Sequence, residues 1–156
     1  MKPTAYLETT VVSYLAAARS RDLIVAAHQR ITHNWWAARD RFELLVSQAV
    51  LDEAARGNAV QAARRLALVA GVPVLTLSDD VIALADRLLR RGAVPAKAHS
   101  DALHISVAAV NRVTYLVTWN CAHIANAQVR GKIEETCRAL ELQPPIICTP
   151  EELMEA

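Results

Sequence analysis

Five short apolar runs punctuate this chain, and each is separated from the next by segments of helical spacing. Residues 5–7, 42–46, 72–75, 114–118 and 146–148 have strand length and end in turn or capping residues. Between them lie helical patterns over residues 11–18, 23–39, 47–57, 58–70, 79–91 and 128–140, with a nearly all-apolar helix inside 97–113. Neighbouring strands joined through helices pair in parallel, because only a crossover of that length returns the chain to the same edge. The pattern therefore predicts an α/β protein with a parallel sheet flanked by helices. Its 156 residues suit a single domain, 1–156.

Composition narrows what such a domain is made for. Hydrophobic residues reach 53% and aromatic residues only 4%, so the core is built from Ala, Val, Leu and Ile. A net charge of +1 gives no strong electrostatic pull towards nucleic acid or membrane. Cys121, Cys137 and Cys148 form no CxxC pair, and an odd count argues against a disulfide framework. A reducing cytoplasm is the expected compartment. No signal peptide is recognisable, and no apolar run approaches the roughly 20 residues that span a bilayer. Four unclustered glycines offer no phosphate-cradling loop.

The chemistry is concentrated in acids near strand ends. Glu8 stands at a strand-to-helix junction, with Thr9 or Thr10 expected as the helix cap. In the helix after the second run, Glu53 falls on an apolar face, whereas Asp52 is placed to pair outward with Arg56. In the segment KAHSDALHISVAAVNRVTYLVTWNCAHIAN, Asp101 shares a face with His104, Ile105 and Ala108. Lys97, four residues earlier, is the local partner that would make Asp101 structural. Asn120 follows the fourth run, and His123 and Asn126 lie just beyond. His104 is expected as a satisfied, partly buried histidine. Ile24, His28, Ile31 and Trp35 are expected as one stripe, and Arg64 and Arg65 on a solvated face.

In a parallel sheet Glu8, the start of the 47–57 helix and Asn120 share one edge, and Asp101 must cross over to reach it. Three carboxylates held together repel unless a cation sits among them. Hard oxygen donors without a Cys or His cluster suit Mg²⁺ or Mn²⁺, and such an ion serves phosphodiester hydrolysis.

The stretches YLETTVVSYL, LLVSQAVLDEAARGN, KAHSDALHISVAAV, YLVTWNCAHIAN and ICTPEEL, in this order, resemble the PIN-domain ribonucleases, and most closely the VapC-type toxins of VapBC toxin–antitoxin pairs. The resemblance implies a PIN-like three-layer α/β/α sandwich with a central, mostly parallel sheet of four to five strands. It implies a metal-dependent endoribonuclease whose metal ligands are Glu8, Glu53 and Asp101, assisted by Asn120. Thr9, Thr10, Lys97 and His123 are accessory candidates. It also implies an RNA substrate, a VapB-like antitoxin and a homodimer. Two departures stand out. The first acid is Glu8 where the family has Asp, and Asn120 is neutral, which favours one metal over two. The alternative is a PIN-fold module that binds RNA or protein with impaired chemistry.

Overall fold

The computed structural model describes residues 1–155, so Ala156, the last residue of the expected unit, lies outside the described residues. The elements in chain order are β1 (Thr4–Leu7), α1 (Thr9–Ala16), α2 (Leu23–Ala37), β2 (Glu43–Ser47), α3 (Gln48–Ala54), α4 (Ala59–Leu68) and β3 (Val74–Leu75). They continue with α5 (Asp79–Arg90), α6 (His99–Val110), β4 (Tyr115–Val117), α7 (Ala127–Ala139) and β5 (Ile146–Cys148). The strands form one sheet in the order β3-β2-β1-β4-β5, and every pairing is parallel. With this strand order, crossovers of the usual right hand put α1 to α4 on one face and α5 to α7 on the other. The contacts follow suit: α1 packs on α2, α3 and α4, while α5 packs on α6 and α7. The expected three-layer sandwich is present, with all five runs used as strands.

Caps define where the helices start. Asp22, Ser47, Asn58, Ser78 and Asn126 each accept a first-turn backbone N–H with a side-chain oxygen. The expectation for α1 needs correction. Its cap is Glu8, whose carboxylate accepts from Thr10 N, and Thr9 and Thr10 are already helical. Thr149 and Glu152 form a reciprocal capping box, on a single 3-10 turn, Glu151–Leu153.

Tyr6, Leu7, Leu116 and Val117 on the central strands are fully buried. Each buried Leu or Val contributes about 1.5–3 kcal/mol. Trp35 packs against Phe42, which meets Tyr115 edge-on. The stripe expected on α2 is displaced. Trp35 is buried, but Ile24 is 70% exposed, and the other buried positions are Gln29 and Thr32. Those two polar residues face inward because each has a partner: Gln29 binds Ser20 N and Ala18 O, and Thr32 receives Trp119. Two surface expectations also change. Asp52 accepts from Gln48, not Arg56, and Arg65 donates to the carbonyls of Ala54 and Arg56 at the end of α3.

Both rims of the sheet are short. β3 has two residues and follows Pro73, and β5 has three and follows Pro144 and Pro145.

Candidate active site

The order of the sheet reverses between β1 and β4: from β1 the chain proceeds to β2 on one side, and it later returns to β4 on the other. Ligands of open parallel sheets bind at the carboxyl ends of strands beside such a point. Glu8 leaves β1 there, and Thr118, Trp119 and Asn120 leave β4. Glu8 N donates to Val117 O at 3.0 Å and ties the two exits together.

Glu8 is 3% exposed, and its carboxylate is met by donors on every side. Oε1 accepts from Thr10 Oγ1 at 2.5 Å and from Thr118 Oγ1 at 2.6 Å, and Oε2 accepts from Thr10 N at 3.2 Å. Hydrogen bonds to an ionised group are the stronger class, and a buried carboxylate needs them. Backbone amides aim both hydroxyls. Trp119 N donates to Thr10 Oγ1 and Asn120 N donates to Thr118 Oγ1, each at 2.9 Å. The indole of Trp119 is itself fixed. It stacks on His28 with centroids 4.0 Å apart and donates from Nε1 to Thr32 Oγ1 at 2.7 Å.

Glu53 points inward as its spacing predicts, with its side chain 25% exposed. Oε1 accepts from Thr9 Oγ1 at 3.0 Å and is paired with His104 Nε2. His104 is wholly buried on α6, not partly buried. Its Nδ1 meets Tyr6 Oη at 2.6 Å, and Tyr6 Oη meets Ser47 Oγ at 2.7 Å. Burial alone would favour neutral forms of both partners. For Glu53 the His104 hydrogen bond and charge, with Thr9, outweigh burial and hold the carboxyl below its usual range. For His104 the bond to Glu53 and the charges of Glu8, Glu53 and Asp101 outweigh burial and raise the imidazole. Both directions favour the ion pair over the neutral pair.

Asp101 reaches the β4 exit across the crossover that the sequence left open. Its side chain is 19% exposed. Oδ1 accepts from Asn120 Nδ2 and Oδ2 is paired with His123 Nδ1, both at 2.9 Å. Asn120 Oδ1 turns back to accept from Ala122 N and His123 N. Lys97 makes no ion pair with Asp101 among the described residues; the partners come from the following loop instead.

Of the three acids, Glu53 is bonded to the buried imidazole of His104, while Glu8 and Asp101 are held by Thr10, Thr118, Asn120 and His123. The sequence signal for His104 was its place on Asp101's face in a helix without Arg or Lys. Asn126, the other polar residue beyond the fourth run, caps α7 and donates to Cys121 O. For a divalent ion the donor chemistry fits: the acids offer hard oxygens, and Glu53 Oε2 takes no hydrogen bond among the described residues. The positions are those of an internally bonded site: among the described residues no group of three or more His, Cys, Asp or Glu is arranged to hold a metal.

No family model matches the chain, and no curated protein matches it in sequence. A solved structure shares the fold: the crystal structure of VapBC2 from Rickettsia felis bound to a DNA fragment from their promoter. The likeness has a TM-score of 0.56 at 14% identity and covers 94% of this chain and 98% of that one. The architecture is PIN-like. No helix among the described residues is long and apolar enough to cross a membrane.

Proposed function

We propose that this chain is a divalent-cation-dependent endoribonuclease of the PIN class, acting as the toxin of a toxin–antitoxin pair. The observation that carries this reading is that Glu8 at the β1 exit, Glu53 on α3 and Asp101 beside the β4 exit are each held by hydrogen-bond partners near the switch point of the sheet. Glu8, Glu53 and Asp101 would hold Mg²⁺ or Mn²⁺, which when bound polarises a phosphodiester oxygen and lowers the pKa of an attacking water. The chain's own residues do the rest. Thr9 and His104 aim Glu53, Asn120 and His123 aim Asp101, and the two threonine hydroxyls hold Glu8. Hydrolysis adds the water oxygen to phosphorus, breaks the bond to the leaving nucleoside oxygen and returns a proton to that oxygen. A VapB-like antitoxin, a homodimer, an RNA substrate and a cytoplasmic location belong to the same proposal.

A second reading has its own support. The carboxylates already have hydroxyl, amide and imidazole partners, as in a module that binds RNA or protein without cutting. One experiment separates the two. Purified protein is incubated with a labelled RNA panel with and without Mn²⁺, beside Asp101→Asn. The nuclease reading expects cleavage only with metal, reduced about a hundredfold or more in the variant. Equal cleavage by Asp101→Asn removes the nuclease reading. RNA retention without metal-dependent cleavage establishes the binding module.

A further inference from the structure

We infer that Tyr6 and His104 are positioning residues of this site: braced by the Tyr6 hydroxyl, the His104 imidazole fixes Oε1 of Glu53 and leaves Oε2 as the oxygen presented to a cation or water. This deepens the function proposed above and rests on it for the ligand's identity. The geometry is a relay through four elements. Ser47 at the end of β2 meets Tyr6 on β1 at 2.7 Å, Tyr6 meets His104 on α6 at 2.6 Å, and His104 meets Glu53 on α3. Tyr6 and His104 are both 0% exposed, so water does not compete for these bonds. The tilted ring contact between Tyr6 and His104, at 5.8 Å between centroids, leaves the imidazole little freedom to swing. With both ring nitrogens engaged, only one placement of the ring satisfies the relay.

The consequence falls on Glu53. Thr9 and His104 both approach the same oxygen, Oε1. A carboxylate held twice by one oxygen cannot rotate, so Oε2 faces a single direction. Partners of this kind, standing behind a ligand, typically change metal affinity 10- to 100-fold when lost.

The test uses Tyr6→Phe, which keeps the ring and removes one hydroxyl that touches no carboxylate. His104→Gln is the second variant, because its amide can still donate towards Glu53. Mn²⁺ affinity is measured by calorimetry, and kcat and KM on RNA are separated. We expect Tyr6→Phe to weaken Mn²⁺ binding about tenfold and to lower kcat with KM unchanged. His104→Gln should retain more affinity than His104→Ala. In a Glu53→Gln background, Tyr6→Phe should change Mn²⁺ affinity no further. Wild-type affinity in Tyr6→Phe, or effects that simply add, would overturn the inference, whatever happens to thermal stability. Should the wild-type protein neither bind Mn²⁺ nor cut RNA, the nuclease reading fails separately. The relay is then judged by urea unfolding of wild type, Tyr6→Phe, Glu53→Gln and their double variant: non-additive midpoints sustain it, and additive midpoints end it.

Discussion

Replacing Thr118 by valine tests how the buried carboxylate is held. Thr118 is 0% exposed, and its hydroxyl does two things. It donates to Glu8 Oε1 at 2.6 Å and accepts from Asn120 N at 2.9 Å. Valine keeps the branched shape and removes both. A hydrogen bond to a charged group contributes about 1.5–3 kcal/mol, and an orphaned buried amide costs about 1–3 kcal/mol. Asn120 is half-buried, so water recovers part of the second term. The expected loss is about 3 kcal/mol, which for a chain of this length lowers Tm by roughly 6–12 °C. Thr118→Ser is the control: it keeps the hydroxyl, loses one methyl and costs about 1 kcal/mol. The assay is urea unfolding of wild type and both variants at neutral pH, with the slope checked for constancy. A Thr118→Val variant within about 1 kcal/mol of Thr118→Ser would refute the claim that hydroxyl donors hold Glu8 in the interior.

Three other outcomes are expected. His104 is raised above its usual 6.5, so its contribution is fully present below about pH 6.5 and is lost as pH rises through the raised value. Glu53 is lowered below 4.5, so its contribution is present above about pH 4.5 and is lost as pH falls through the lowered value. Tm against pH should therefore be highest between those limits, and His104→Gln should flatten the alkaline side; an unchanged alkaline side would count against the imidazolium. Burial pushes Cys137 up to about 11 and Cys148 up to about 12, whereas Cys121 is exposed. A thiol reagent should modify Cys121 alone in the native protein and all three cysteines in denaturant, as mass spectrometry will show. Trp119→Phe loses the 2.7 Å bond to Thr32 and part of the His28 stack, which should cost about 1–2 kcal/mol. Its effect should be non-additive with Thr32→Val in urea unfolding.

The alternation of elements was legible because strand-length apolar runs and capping residues are local signals, and all five runs became strands. The inward side of Glu53 was legible for the same reason, since one helix face is set by spacing alone. What escaped was everything decided between elements. Lys97 is the neighbour of Asp101 by helical arithmetic, but Asn120 and His123 from a loop beyond β4 take that place. Spacing did not reveal His104 as the partner of Glu53, because that contact exists only where β1, β2, α3 and α6 meet. Likewise the stripe of Ile24, His28, Ile31 and Trp35 was drawn from hydropathy, whereas Gln29 and Thr32 face inward because Ser20, Ala18 and Trp119 supply partners. Glu8 read as a ligand at a strand exit and is also the cap of α1, a dual duty that spacing does not distinguish.

The prolines beside the outer strands have a bearing on assembly. With two and three residues respectively, each entered through proline, β3 and β5 offer almost no ladder for a foreign strand to extend. Such short, proline-flanked borders disfavour edge-to-edge stacking and leave the helical flanks and loops as the larger surfaces for a partner.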